Sequence, residues 1–560
     1  MCGIIGGNKF KNDTKIQQGL LSIIHRGKDD NTIFSFDNNM YLSHNRLSIQ
    51  DLSEVANQPM VSDDSRYYLA FNGELWKSSF DKFDKKLRKL YNFKTEKSDT
   101  ELLLYYLIHN IKNIGRSLRE LDGMFAFSLY DSETNTTYLG RDFIGRMPLY
   151  YHYDGEKFGY CSEAKGLRVG LDTPYYKIDV KSKYHKMADV KDKETIYPVL
   201  PGHLITFEPH PFVTDSYEIK EEVWYTFKDE YDKDNQSYYT RDEEQFRHFE
   251  QEDKGVDYYV NGFKDIVNEA VDNELISDVP VCTILSGGID STIITYLLSK
   301  KLKNVEAFVV NVNPLRKSKY KDDLYYARMA AKEFGIKLHE VNVDREDIEK
   351  RLSESIWASE TFKWTQVSPA VAQLFLAEEI EKQGYKVVFG GEGADEIFAS
   401  YGDVKRFCWN EPVHWHQKRI NLLNGLHKSN LVRTNKSMMY GGTVELRTPF
   451  LNKEVIDFGL RIPTKYRDEN YEVRKNFEYK TTEHSDGNVM KFILRKAFEN
   501  DISEELLWRP KKTFQVGCHT DYLKTEEPMM YKVFGELFVK GNGYTEYLSK
   551  SDKKINLEKK

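Results

Sequence analysis

Val279-Pro280-Val281-Cys282-Thr283-Ile284-Leu285-Ser286-Gly287-Gly288-Ile289-Asp290-Ser291-Thr292 decides the architecture of the C-terminal half. A short apolar, β-branched run ends at two glycines, and a helical stretch then continues to Lys301. This is the pattern of a buried strand turning tightly into a helix. Glycine lets the backbone turn sharply and approach a ligand closely, and the free N–H groups that open the helix favour a phosphate. The GKS/T lysine of a Walker A loop is missing, so the loop is of another phosphate-binding kind.

The same logic extends outward. A helix is expected from Tyr258 to Asn273. Strands are expected at Val305 to Val312, Lys337 to Val343 and Lys386 to Phe389, with helices at Asp322 to Phe334 and Ala370 to Gln383 between them. Strands alternating with helices predict a doubly wound parallel sheet with ligands at the carboxyl ends of its strands. A second glycine loop, Gly390-Gly391-Glu392-Gly393-Ala394-Asp395-Glu396, follows the last of these strands.

The first two hundred residues read differently, as short strands and turns. Strands are expected at Asn39 to Leu47, Tyr67 to Phe71, Met124 to Tyr130, Thr137 to Gly140 and Phe158 to Ser162, with helices at Thr14 to Ile24 and Thr100 to Ile111. Tyr175 to Lys193 and Lys228 to Gly255 are polar and read as a surface excursion and a solvated linker. The Lys-rich end from about Ser549 is expected to fray.

The bulk numbers exclude several classes. At 560 residues the chain exceeds a single core, and roughly 150 residues per domain suggests two to four. A net charge of −7 gives no global basic excess for nucleic acid. The apolar runs fall far short of the roughly 20 residues that span a bilayer, and no signal-like segment opens the sequence. Cys2, Cys161, Cys282, Cys408 and Cys518 are scattered without a CxxC pair, which argues against disulfides or structural zinc and suits the reducing cytoplasm.

Met1-Cys2-Gly3-Ile4-Ile5-Gly6-Gly7 places a cysteine where methionine removal would expose it. Its free amine could then act through water as the general base for its own thiol; the alternative is a small buried residue opening a strand. Further motifs accompany it: His25-Arg26-Gly27, His44-Asn45-Arg46-Leu47-Ser48-Ile49, Phe71-Asn72-Gly73-Glu74, Lys97-Ser98-Asp99-Thr100-Glu101, Gly140-Arg141-Asp142 and Ser162-Glu163-Ala164-Lys165. As a set they resemble the class II glutamine amidotransferase domain, with Lys28 standing where the proline of HRGPD is usual.

The resemblance implies an N-terminal αββα sandwich of the Ntn type. It implies Cys2 as nucleophile, Asn72 and the Gly73 N–H as oxyanion donors, and Arg46, Glu74 and Asp99 as the remaining glutamine-binding residues. Arg46 takes the α-carboxylate, a task suited to guanidinium geometry, and Asp99 the α-ammonium. The alternatives are a strand ion pair for Arg46 and a helix cap for Ser98 or Asp99.

The glycine loops, with Asn435-Lys436-Ser437-Met438, Glu445-Leu446-Arg447-Thr448-Pro449-Phe450-Leu451, Met490-Lys491-Phe492 and Arg509-Pro510-Lys511, resemble the asparagine synthetase family of the glutamine-hydrolysing type. That resemblance implies an ATP pyrophosphatase domain that binds ATP through Leu285, Ser286, Gly287, Gly288, Asp290, Ser291, Val310 and Gly391. Asp290 and Asp395 would hold Mg2+, Glu392 would take a proton from attacking ammonia, and Lys491 would stabilise charge during adenylation. The expected layout is a glutaminase domain over 1–205, a linker or insertion over 206–255, the synthetase domain over 256–535 and a polar tail over 536–560. The implied partners are glutamine, ATP and an acceptor carboxylate, with no nucleic acid or membrane and with a homodimer as the expected assembly.

Four departures from the family pattern matter. Gly390 replaces a serine, Asn452 replaces the aspartate of PFLD, and Asn311 replaces a glycine. The fourth is Glu360 to Pro369, which contains no arginine where aspartate-using members carry TT(I/V)RAS; anchoring on Pro369 puts Thr365 at the arginine's place. Either Lys363, Arg433 or Lys436 supplies the missing charge, or aspartate is a weak acceptor and another carboxylate, on a sugar, peptide or small metabolite, is preferred. A rival of another class is a non-catalytic nucleotide-binding regulator, against which the intact catalytic set argues.

Overall fold

The computed structural model describes residues 1–171, 177–178, 195–227, 253–313, 322–401, 412–463, 466, 490–509, 514–539 and 556–559. The linker over 228–252, most of the polar stretch 175–193, Cys408 and residues 510–513 lie outside these. The four cysteines described are free and buried.

The N-terminal part is two sheets face to face with helices outside. The first sheet runs Lys177–Ile178, Thr195–Pro198, Tyr150–Tyr153, Phe158–Cys161, Gly3–Gly7, Tyr41–Arg46, Asp30–Ser35 and Asn556–Lys559. The second runs Tyr217–Val223, His203–Pro209, Thr136–Arg141, Gly123–Asp131, Tyr67–Leu75 and Met60–Val61. Strand alternation explains the layering. Ile4 packs into the core between the sheets with Leu69 and Phe71, whereas its neighbour Ile5 faces Ile16, Leu20 and Leu167 of helices Asp13–Leu21 and Ala164–Leu171. On the other side Asp99–His109 covers strand Tyr67–Leu75. The αββα sandwich expected from the motifs is therefore present.

Three details differ from expectation. Strand Tyr217–Val223 pairs with His203–Pro209 and carries the sheet past residue 205; its charged residues Glu218, Lys220, Glu221 and Glu222 hid an edge strand behind a polar composition. Asn556–Lys559 pairs in parallel with Asp30–Ser35, so the end of the chain returns to the first sheet. Helix Trp364–Lys382 begins six residues before the expected Ala370 and contains Pro369, which cannot bond the Thr365 carbonyl one turn back; that carbonyl accepts from Gln515 Nε2 at 3.0 Å instead.

The C-terminal sheet is wholly parallel. Its order is Lys337–Val343, Glu306–Val312, Val281–Ile284, Val387–Phe389 and Glu445–Arg447. The winding reverses between Val281–Ile284 and Val387–Phe389, so the glycine loops leaving those two strands meet at the topological switch point. Close backbone approach requires glycine there. At Gly287 (φ +68°) a Cβ would lie 2.5 Å from the Tyr326 Cβ, and at Gly391 it would lie 2.6 Å from the Ser291 nitrogen.

The two halves are joined by buried charge. Glu360, which ends helix Leu352–Ser359 at φ +56°, accepts the Lys165 N–H at 2.6 Å and pairs with Lys436. Lys436 also donates to the Tyr150 hydroxyl at 3.1 Å. Arg146 pairs with Glu274 at 2.9 Å, and Arg26 donates to Asn435 at 3.3 Å. Removing one partner of a buried pair typically costs about 3–5 kcal/mol because the other charge is stranded. Glu360→Leu should therefore lower the thermal unfolding midpoint by several degrees and speed proteolytic separation of the halves. A midpoint within a degree of wild type would contradict this account of the interface.

Candidate active sites

At the N-terminal site Cys2 lies on the approach to strand Gly3–Gly7, between the two sheets. Its N–H donates to the Asn72 Oδ1 at 3.0 Å, and its sulfur accepts the Leu47 N–H at 3.5 Å. Arg26 Nε donates to the Cys2 carbonyl at 2.9 Å and the same guanidinium reaches Glu163 at 2.8 Å. Burial pushes the Cys2 thiol up to about 11, opposed by the ammonium of Met1. That ammonium pairs with Glu445 of the synthetase sheet at 3.2 Å.

With its oxygen committed to the Cys2 N–H, Asn72 keeps its Nδ2 as a buried donor without a partner. Buried donors are almost always paired, so this one is free to donate to a group from outside the chain. Gly73 has φ +150°, and a Cβ there would overlap the Met124 carbonyl. Arg46 is gripped by backbone: its guanidinium donates to the Ser53 carbonyl at 2.9 Å and the Asp51 carbonyl at 2.5 Å. It is no strand ion pair; among the described residues no carboxylate pairs with it.

Ser98 stands at the N-cap of helix Asp99–His109 but makes no cap bond. Asp99 accepts the Leu75 N–H at 3.1 Å, tying the helix start to the Asn72–Gly73 strand rather than capping the helix. Burial pushes its carboxyl up to about 6, and burial together with the nearby Glu445 also raises Glu74. Asn72 thus bonds Cys2, Arg46 and Glu74 act on its thiol through their charges, and Asp99 lies beside Glu74 with Glu445 from the other half. Lys28, the departure from HRGPD, pairs with Glu381 at 2.6 Å across the surface of the interface.

At the C-terminal site a cavity of about 410 Å³ opens at the switch point. Ser286, Gly288, Asp290, Ser291, Gly391, Glu392, Asp395 and Lys491 all line it. Leu285 and Val310 do not; both are buried in the sheet, and Ile284 presents the apolar face instead. Strand alternation accounts for this, since a one-residue offset sends the side chain to the opposite face. Gly287 is also absent from the lining and serves the turn.

Lys491 is the electrostatic centre of this cavity. Its ammonium lies 2.5 Å from Asp290 and 2.6 Å from Asp395, and its backbone is left-handed at φ +60°. Burial works against its charge, but the two carboxylates outweigh it and hold the proton more firmly than usual. Glu392 is raised by burial, with Arg433 opposing and Asp290 reinforcing the shift. Gly390 now has a reason: the space a Cβ would take there is filled by the Glu392 carboxylate. Asn452 caps helix Lys453–Leu460 by accepting the Glu454 N–H at 3.0 Å, as the family's aspartate would. Asn311 bonds across the sheet to Asn342 at 3.1 Å.

Sequence reasoning singled out Thr365 and Arg433 but missed Gln373, Leu376 and Asn430 beside them. Thr365, Gln373 and Leu376 share one face of helix Trp364–Lys382, and Asn430 and Arg433 share a face of helix Asn430–Gly442. Helical spacing was the available signal. Arg495 and Arg509 stand by the first glycine loop, and Arg509 donates to the Ser286 carbonyl at 3.2 Å while pairing with Asp323 at 2.6 Å. Of the three cations proposed for the acceptor, Lys363 is exposed, Lys436 is committed to Glu360, and Arg433 lines the cavity.

Comparison with known proteins matches both halves of the chain. The model of the family described as "Glutamine amidotransferase domain" matches residues 1–218, and that of "Asparagine synthase" matches 262–416 and 409–544. Asparagine synthetase B [glutamine-hydrolyzing] of Escherichia coli is 28% identical over 544 residues, covering 94% of this chain and 84% of its own. The human asparagine synthetase [glutamine-hydrolyzing] is 28% identical over 541 residues, covering 92% and 84%. A probable asparagine synthetase [glutamine-hydrolyzing] of Dictyostelium discoideum is 28% identical over 575 residues, covering 97% and 90%. With one centre built around Cys2 and another at the switch point of its parallel sheet, the chain belongs to the asparagine synthase family and carries a glutamine amidotransferase domain at its N-terminal end.

Proposed function

We propose that the chain amidates aspartate to asparagine, with glutamine as nitrogen donor and ATP cleaved to AMP and pyrophosphate. The observation that carries this reading is that one chain holds both centres across a shared buried interface, with Arg26 donating to the Cys2 carbonyl at 2.9 Å in the first half and to Asn435 at 3.3 Å in the second. Removal of Met1 frees the Cys2 amine as base. The thiolate attacks the glutamine carboxamide, Asn72 Nδ2 and the Gly73 N–H receive the oxyanion, and water completes hydrolysis to glutamate and ammonia.

In the synthetase cavity the acceptor carboxylate attacks the α-phosphorus of ATP and displaces pyrophosphate. Ammonia then attacks the acyl adenylate, AMP leaves, and Glu392, its pKa raised by burial, takes the surplus proton. Asp290 and Asp395 converge on a single ammonium at 2.5 and 2.6 Å, so their spacing also suits one hard cation. Mg2+ held there would neutralise the pyrophosphate leaving group. Arg495, which burial pushes down to about 10 against the pull of Asp290, faces the same end and suits the phosphates.

Three outcomes test the scheme. Cys2→Ala should abolish glutamine-dependent amidation while high ammonium still supports it; equal failure with both nitrogen sources in a folded variant would break the two-centre scheme. Asp290→Asn and Asp395→Asn should each reduce acceptor-dependent pyrophosphate release by at least a hundredfold, leaving glutamine hydrolysis measurable; near-normal ATP turnover would remove the metal assignment. The third concerns pH. A carboxylate binds the glutamine ammonium only when ionised, and Asp99 is pushed up to about 6, so it is protonated below that pH. The glutamine KM should therefore rise as pH falls through about 6, and a flat KM between about pH 5 and 8 would exclude Asp99 from this role.

A further inference from the structure

One wall of the synthetase cavity carries an unmatched charge. Arg433 is 7% exposed, and its two terminal nitrogens donate to neutral oxygens, Asn430 Oδ1 at 3.3 Å and Thr434 Oγ1 at 3.0 Å. Its Nε has no partner, and among the described residues no carboxylate lies within ion-pair distance of it. Burial lowers its grip on the proton to about 10, with Glu392 the first of the opposing charges. A buried guanidinium normally comes with a carboxylate or phosphate. Here a cavity-lining position leaves that partner to come from the ligand.

Gln373 stands beside it on the facing helix and is 4% exposed. Its Nε2 donates to the same Thr434 Oγ1 at 3.2 Å, leaving its Oε1 a buried acceptor without a partner. One hydroxyl thus ties a cationic donor group and an amide acceptor side by side on one wall. Glu392, which lines the same cavity, is within electrostatic reach of both Arg433 and Asp290.

We propose that Arg433 and Gln373 recognise the amino-acid head group of the acceptor. Arg433 holds the α-carboxylate, Gln373 Oε1 accepts from the α-ammonium, and the side-chain carboxylate is presented toward Glu392 and Lys491. The acceptor is therefore an α-amino dicarboxylate, and the guanidinium missing from Glu360 to Pro369 is supplied from helix Asn430–Gly442. Removing one charge-assisted hydrogen bond to a ligand weakens its binding by roughly ten- to a hundredfold. The assignment rests on the amidation reading above.

The test is steady-state pyrophosphate release by the full chain with ATP and ammonium, using aspartate, β-alanine (no α-carboxylate) and succinate (no amine) as acceptors. Arg433→Gln should raise the aspartate KM at least tenfold while leaving the ATP KM within twofold, and should collapse the preference for aspartate over β-alanine. Gln373→Met should collapse the preference for aspartate over succinate. Glutamine hydrolysis serves as the control for folding; if Arg433→Gln fails it, Arg433→Lys and Gln373→Met decide by the same ratios. Wild-type turnover of aspartate with unchanged ratios in the folded variants would overturn this inference alone. A wild-type enzyme inert toward aspartate would overturn the amidation reading and this assignment with it.

Discussion

Two buried carboxylates, Glu163 and Glu360, hold the geometry of both centres. Glu163 is bonded by Arg26 at 2.8 Å and by His25 at 3.1 Å, and it also pairs with Lys165. Burial alone would raise it, but Lys165, the His25 hydrogen bond and Arg26 keep its carboxyl well below the usual range. Such a cluster is tolerable inside a protein only when nearly every charge is matched. Because Arg26 also carries the Cys2 carbonyl, the cluster fixes the nucleophile's backbone. Because Lys165, two residues along, gives its N–H to Glu360, the same cluster fixes the position of the other half.

From Glu360 the consequences run directly into the synthetase cavity. Its partner Lys436 lies on helix Asn430–Gly442, which also presents Arg433 to the cavity. The residues that follow Glu360 lead into helix Trp364–Lys382, which presents Thr365 and Gln373. The walls of the acceptor end are thus the continuations of the interface. Lys436 cannot serve the acceptor because that interface consumes it, and Arg433, three residues earlier on the same helix, is left with its charge unmatched.

At the pyrophosphate end the constraint is steric. The loops leaving Val281–Ile284 and Val387–Phe389 approach so closely that Gly391 has no room for a side chain. That approach brings Asp290 and Asp395 onto one Lys491 ammonium. Gly390, which looked like the loss of a serine, leaves the room that the Glu392 carboxylate occupies. Asn452 performs the same cap as an aspartate because capping needs only a side-chain oxygen. Departures from a motif can thus preserve its geometry.

The sequence by itself determined the parts whose information is local. Apolar alternation and glycine-terminated runs gave four of the five parallel strands to within a few residues, Glu445–Arg447 being the one not expected, and the strand–loop–helix context gave Ser286, Asp290, Ser291, Glu392 and Asp395 as lining for one site. Cys2, Asn72 and Asp99 were legible through motifs that each reflect a short backbone geometry. Tertiary structure alone decided what depends on which face a residue takes and on pairings across the chain. Leu285 and Val310 turn into the sheet while Ile284 faces the cavity, because one residue of register reverses a strand's faces. The strand Tyr217–Val223 and the return of Asn556–Lys559 form because the sheet edges offer hydrogen-bond partners that no composition reveals. The choice among Lys363, Arg433 and Lys436 turned on which cation the interface had already neutralised, and that is settled only when residues 165, 360 and 436 meet in space.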